Sequence, residues 1–422
     1  MSHRGIDRRR PRRRHQTTAT RPPRVGVVTN GLAITGGVER CVLEDTRDLV
    51  AAGLDVEVWH RPALTGPADA GRAPYDRLGV RLHRASDYRF TLRSAFGDAV
   101  RFVRQGLALR RARLDVLWLN RPEFLPWGRL VSTVARVPLV VHLHHAPNYA
   151  RLGLLAGGRT EYLAVSHAMA RAWAAAGVPP QRITVVPNGV DTDAFPASTP
   201  TQVHAARVAL GIDDATPTVL YYGRLTPSKG VLALLEAWGR VLAAASDRLP
   251  VTTVTSGSSG SSSSSSSSAP RLEPLLVLAG ALYPADAPAV QRAIDALPDG
   301  SVLVLPERDD VVPLLHAADL VVVPSIEPEG FGRVVVEAMS AGRPVVAAAS
   351  GGTGEILAGE WARFTVDPED TAALAKKVLD VLDEAVHDPS LGARCREWVR
   401  EHYGPEPHLT GLLRALRAHG RR

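Results

Sequence analysis

Two glutamates, Glu329 and Glu337, stand eight residues apart in EPEGFGRVVVEAMSAGRPVVA (327–347), with Gly330-Phe331-Gly332 between them and Gly342-Arg343-Pro344 behind. Paired acids at that spacing admit three readings: a hydrolytic dyad, a grip on ligand hydroxyls, or carboxylates drawn to the positive start of a helix. A second cluster, GRLTPSKG (223–230), places Arg224 and Lys229 directly after an apolar run, and Lys229 is one of only three lysines in the chain. Two cations beside a helix N-terminus can neutralise a departing diphosphate without a metal; the plain alternative is a solvated loop with two ordinary charges. A third cluster, GLAITGGVE (31–39), puts Gly36-Gly37 before a helix. Backbone there could approach a phosphate or sugar, or simply make a tight turn. Gly31, Gly36 and Gly37 do not have G-x-G-x-x-G spacing, which argues against a nicotinamide cofactor.

The elements that must position these residues follow from the apolar pattern. RVGVVTN (24–30) leads into a stretch with Val38, Val42, Leu43, Leu49 and Val50 at near-helical spacing, and then into DVEVW (55–59). This is a βαβ unit. DVLWLN (115–120), PLVVHLHH (138–145), YLAVS (162–166) and ITVVPNG (183–189) continue the alternation. A second series starts with PTVLYYGRL (217–225) and a helix over about 228–246, followed by LLVLAG (275–280), SVLVLP (301–306), ADLVVVPS (318–325) and PVVAAAS (344–350). Short apolar strands alternating with helices predict α/β architecture, with two Rossmann-like, doubly wound parallel-sheet domains facing across a cleft. Ligands of such sheets bind beyond the carboxyl ends of the strands, which is where all three clusters fall. Within 327–347 a crossover helix is expected over about 332–341, stopped at Gly342, although the valines 334–336 could also read as strand. Glu329 then lies in the preceding loop, Glu337 on the second turn, and the N–H groups near 331–334 face the cleft.

The expected organisation is a disordered basic arm (1–23), an N-terminal domain (24–200), a C-terminal domain (201–390) and C-terminal helices (391–422) returning toward the N-terminal domain. SGSSGSSSSSSSSAP (256–270) is a flexible insertion within the second domain. The net charge of +7 is carried by the first 24 residues, where nine arginines stand against Asp7 alone. RRRPRRR (8–14) could therefore touch anionic lipid or nucleic acid, with no specific role as the plain alternative, while no specific nucleic-acid partner is expected of the nearly neutral remainder. The stretch 88–115 is basic and partly amphipathic, which suggests contact with an anionic membrane; a solvated helix is the plain alternative. No apolar run approaches the roughly 18 residues of a membrane span, and no signal-peptide core is evident, so a cytoplasmic protein with room for peripheral contact at the cytoplasmic face is expected. Cys41 and Cys395 lack CxxC spacing and are expected to be buried fillers, and no thiolate metal site is indicated.

With these residues in place, the chain resembles the family 4 glycosyltransferases, retaining enzymes of GT-B fold that use nucleotide sugars. The segment 327–347 resembles the family's E-x7-E motif, YYGRLTPSKG (221–230) its phosphate-binding loop, and VVPNGVDTDAF (185–195) its interdomain signature; AVSHAMARAW (164–173) and GGVER (36–40) add weaker matches. The resemblance implies that Glu337 holds the donor ribose, Glu329 the donor sugar hydroxyls, and the backbone of Phe331, Gly332, Arg333 and Val334 the sugar and phosphates. It implies that Arg224 and Lys229 grip the diphosphate, that Gly36 and Gly37 line the donor site, and that His144 is the cleft histidine, with His142 and His145 as neighbours. It further implies a UDP- or GDP-linked sugar as co-substrate, no cofactor, and a glycan, lipid-linked or small-molecule acceptor. That no metal is required is expected from the residues, since the strand-end motifs supply Arg224, Lys229 and a helix start without an Asp-x-Asp or His cluster to hold a divalent ion on the diphosphate. Two features depart from the family: LLVLAGALYPADAP lacks a second glycine, and Pro306 stands where glycine is common. The alternatives are a GT-B epimerase or phosphorylase and a nucleotide-sugar-binding protein without turnover.

Overall fold

The structure, a computed structural model, describes residues 21–34, 36–61, 70–85, 88, 93–147, 156–248 and 273–418. The basic run 8–14 and the serine tract 256–270 lie outside the described residues.

The apolar runs form two parallel sheets. The first contains β1 (Arg24–Thr29), β2 (Asp55–His60), β3 (Arg81–Arg84), β4 (Val116–Leu119), β5 (Leu139–Leu143), β6 (Thr160–Ala164) and β7 (Ile183–Val185) in the order β3-β2-β1-β4-β5-β6-β7. The second contains β8 (Thr218–Tyr222), β9 (Leu275–Ala279), β10 (Val302–Leu305), β11 (Leu320–Val323), β12 (Val345–Ala348) and β13 (Thr365–Val366) in the order β10-β9-β8-β11-β12-β13. Every pairing between them is parallel, as crossover helices require. The central strands are buried along their length because helices cover both faces, which is why they read as unbroken apolar runs. Chain order reverses at β1/β4 and at β8/β11, and these switch points open toward the cleft.

The helix expected over about 332–341 is present as Arg333–Ser340, valines 334–336 included, whereas the helix after GRLTPSKG starts at Val231 and not at about 228, because a 3₁₀ turn Pro227–Lys229 precedes it. Edge strands β3 and β13 carry no apolar run long enough to announce them.

The C-terminal helices divide between the domains. Helix Leu391–Tyr403 packs on Arg333–Ser340 and buries Cys395 and Val399. Helix Pro405–Arg417 crosses to the first domain, where Leu412 and Leu416 join Val25, Val27, Val56 and Val58 in one apolar cluster. His408 anchors that crossing: its Nε2 lies 2.6 Å from Asp45 Oδ1 and its Nδ1 2.7 Å from the Pro187 carbonyl. Both partners are acceptors, so both ring nitrogens must donate and the ring is an imidazolium. Burial alone would lower the His408 pKa, but the Asp45 carboxylate and the Pro187 carbonyl raise it overall.

Candidate active site

The site is assembled from the carboxyl ends of strands in both sheets. After β8 the chain turns through Gly223–Gly230, and Lys229 Nζ comes 2.6 Å from Glu329 Oε1. Ser325 Oγ, after β11, donates to the same oxygen at 2.6 Å. Arg224 lies on the same loop, exposed, with no ion pair among the described residues.

Between Glu329 and the helix that follows, glycine is required twice. A Cβ on Gly330 would collide with the His144 carbonyl, so only glycine lets this loop touch the end of β5 in the other domain. Ser166 Oγ fastens the contact, donating to the Gly330 carbonyl at 2.7 Å. Gly332 then caps helix Arg333–Ser340 at φ 106°, a conformation strained for any side chain. The first N–H groups of that helix have no partner within it, and residues 331–334 line the cleft. Phe331 is buried against Tyr403.

Glu337 is 6% exposed on the second turn. Tyr222 OH donates to its Oε2 at 3.0 Å and Arg333 Nε to its Oε1 at 2.6 Å. Burial, with the Glu337 charge added, raises the Tyr222 pKa well above its ordinary value, so the hydroxyl stays a donor. The Arg333 side chain was not anticipated, since only its backbone was implicated. It spans the cleft and makes two bonds, 2.7 and 2.8 Å, to the Glu44 carboxylate on helix Gly37–Ala51 of the other domain. Glu44, Tyr222 and Glu355, which accepts from the N–H groups of His167 and Ala168 at 2.8 and 2.6 Å across the domains, were all missed from the sequence. An acid on an amphipathic helix and a tyrosine in an apolar strand carry no local signal of a partner more than 100 residues away.

His144 and His145 line the cleft, whereas His142 is fully buried behind His144, ring centroids 4.0 Å apart. Burial pushes the His144 pKa down to about 3, so at neutral pH the ring is uncharged, with Nε2 3.4 Å from Asn120 Oδ1. His145 is raised, chiefly by its hydrogen bond with Glu123. Gly36 is extended, φ 176°, and with Gly37 opens helix Gly37–Ala51 on the facing wall. Cys41 is buried beside Arg333 and Cys395 lies in the core, and burial drives both thiols up to about 12. Neither is a nucleophile.

Between these walls lies a cavity of about 660 Å³ that every proposed site residue lines. Each carboxylate is met by a cation and a hydroxyl, Lys229 and Ser325 on Glu329, Arg333 and Tyr222 on Glu337. That is a setting for accepting hydrogen bonds from ligand hydroxyls, whereas a hydrolytic pair needs one acid in apolar surroundings.

Two parallel-sheet α/β domains closing on a cavity lined by paired cations and carboxylates have the architecture of the GT-B class. Residues 216–384 match the family model described as "Glycosyl transferases group 1", and residues 35–194 match "Glycosyltransferase Family 4". The chain belongs to the family 4 glycosyltransferases. It is 28% identical, over 54% of its length and 55% of the relative's, to the GDP-mannose-dependent monoacylated alpha-(1-6)-phosphatidylinositol monomannoside mannosyltransferase of Corynebacterium glutamicum. It is 39% identical, over 48% of its length and 41% of the relative's, to the D-inositol 3-phosphate glycosyltransferase of Geodermatophilus obscurus. In these matches the chain spans about half the length of the curated relatives. Among solved structures, Anabaena HepE in complex with UDP and glucose superposes with a TM-score of 0.74 at 21% identity, covering 94% of this chain and all of that one, a likeness of fold.

Proposed function

We propose that the protein is a retaining glycosyltransferase that moves a sugar from a nucleoside diphosphate to an acceptor. The observation that carries this reading is the convergence of Arg224, Lys229, Glu329, Glu337 and the start of helix Arg333–Ser340 on one cavity. The diphosphate lies on the helix N–H groups between Arg224 and Lys229, whose charge offsets that of the leaving group. Glu337 accepts from the ribose hydroxyls and Glu329 from the sugar hydroxyls, while Gly36 and Gly37 let the opposite wall come close. His144, neutral and held against the Gly330 loop, sits where the transferred sugar meets the acceptor. The acceptor attacks from the face the leaving group vacates, and no enzyme nucleophile is assigned.

The donor is a UDP- or GDP-linked sugar: the Corynebacterium relative is named for GDP-mannose, and the Anabaena structure holds UDP and glucose. No metal is required in this reading, because two cations and a helix start are already in place. The acceptor is a glycan, a lipid-linked sugar or a small molecule; one relative is named for a phosphatidylinositol mannoside and another for an inositol phosphate. Among the described residues no helix is long and apolar enough to cross a membrane. A cytoplasmic location with peripheral contact at an anionic membrane is part of the proposal.

Ligand-induced thermal shift with UDP, GDP and their sugars tests the donor assignment. Stabilisation by one nucleoside diphosphate at concentrations near its Kd is expected, by RT ln(1 + [L]/Kd). No shift with either would remove the basis for the reading.

A further inference from the structure

Helix Ala95–Ala112 has two apolar faces, and only one of them is used by the fold. The inner face buries Phe102 and Leu109 and packs against helix Leu125–Ala135. On the opposite side Phe96 is 86% exposed, Val100 46%, Val103 38% and Leu107 46%. Steps of four, three and four residues align these side chains in one stripe along the helix. The fold gives no reason for it, since a helix face turned to water is ordinarily polar. The flanks of the stripe carry Arg104, Arg110 and Arg111, all exposed. The helix's one acid, Asp98, is buried and paired with Arg101 at 2.7 Å, so it does not offset that charge at the surface.

Position adds to composition. The helix precedes β4 in a parallel sheet and runs antiparallel to it, so its Phe96 end lies at the carboxyl edge of the strands, the edge that borders the cleft. At the other end the described chain begins at Arg21, whose guanidinium donates to the Arg113 carbonyl at 3.4 Å and to Asp115 at 3.2 Å. The segment bearing RRRPRRR therefore joins the structure beside the carboxyl end of this helix.

We infer that this face docks on an anionic lipid surface, Phe96, Val100, Val103 and Leu107 entering the headgroup–acyl boundary and the flanking arginines meeting lipid phosphates. Charge complementarity selects this occupant, because an apolar stripe flanked on its own helix by exposed cations fits an acyl surface under anionic headgroups. Docked in this way, the helix lies along the surface with the cleft edge of the sheet at its Phe96 end. The inference deepens the proposed peripheral contact and rests on that part of the functional reading. Its test uses neither donor nor acceptor, so it can fail while the transfer chemistry stands.

The test is flotation of the full-length protein with vesicles of phosphatidylcholine containing phosphatidylglycerol, and with phosphatidylcholine alone. Salt-sensitive binding to the anionic vesicles is expected. Phe96→Glu/Leu107→Glu should lower partition by roughly tenfold or more, and Arg104→Gln and Arg111→Gln by about fivefold each. Melting temperatures should stay unchanged, because these side chains face solvent. Failure of the full-length protein to bind anionic vesicles, or undiminished binding of Phe96→Glu/Leu107→Glu, would overturn the inference. A protein lacking residues 1–20 separates the arm from the helix: binding lost on truncation but indifferent to Phe96→Glu would assign it to the arm. Light scattering covers the remaining occupant, since a dimer abolished by Phe96→Glu would give the stripe to a second copy.

Discussion

Replacing Lys229 by alanine removes a cation and strands an anion in one step, because its ammonium sits 2.6 Å from Glu329 Oε1. A charge-assisted contact to a phosphate oxygen is worth about 1.5–3 kcal/mol. The stranded Glu329 then faces the diphosphate as a like charge. Two unit charges about 4 Å apart at an effective dielectric of 20 interact by ~4 kcal/mol. The side chains are 26% and 21% exposed, so solvent leaves about 1 kcal/mol of that repulsion. Together these losses weaken UDP or GDP binding by roughly 100-fold. Glu329→Gln in the alanine background removes the repulsion and should restore about fivefold. Calorimetry with the nucleoside diphosphate and with the bare nucleoside is the assay. The nucleoside should bind all variants equally, since it carries no phosphate. Equal losses for both ligands would place Lys229 away from the diphosphate, and a double variant no better than the single would show that the Glu329 charge is not felt there.

Glu337→Ala should cost about 1.5–3 kcal/mol of donor affinity through unpaired ribose hydroxyls, and unchanged affinity by calorimetry would remove the ribose assignment. Arg333→Leu should destabilise by about 3–5 kcal/mol, more than Glu44→Gln, because it leaves two carboxylates facing each other across the domains without their cation; denaturant unfolding that ranks the two variants the other way would contradict this. The His408–Asp45 link gives a pH signature. Because the folded pKa of His408 is raised, its contribution is complete below the unfolded value of about 6.5 and fades as pH rises through the folded value. The melting-temperature gap between the native protein and His408→Gln should therefore be widest in mildly acidic buffer and shrink toward alkaline pH, and a gap that widens with pH would show a neutral ring.

Much of this architecture is legible in the sequence because buried parallel strands leave continuous apolar runs. VLYY before GRLTPSKG and LVVV before PSIEPEGFG place the cations and Glu329 at strand ends without further information. Edge strands escape that logic: Arg81–Arg84 holds a single apolar residue, Leu82, and Thr365–Val366 is too short to show a period. The site divides in the same way. Residues within one loop or helix, Glu329 to Glu337, are visible through spacing. Their partners are not, because Tyr222 and Glu44 come from other elements and, for Glu44, from the other domain; nor is Glu355, whose partners are the His167 and Ala168 N–H groups across the domains. Arg333 shows the limit most clearly. Its backbone position followed from the helix start, yet its guanidinium joins the domains, a role that exists only once both are folded. The three neighbouring histidines are told apart only by the sheet, which buries His142 and leaves His144 and His145 at the cleft.

The central claim is that cleft residues alone carry off the nucleoside diphosphate while the sugar keeps its configuration. NMR of the product formed in excess EDTA, from whichever UDP- or GDP-sugar the thermal shift selects, tests it most directly. The expected result is sustained turnover and a product whose anomeric signal matches the donor's configuration. An inverted anomeric signal, or turnover abolished by EDTA and rescued by magnesium, would contradict it.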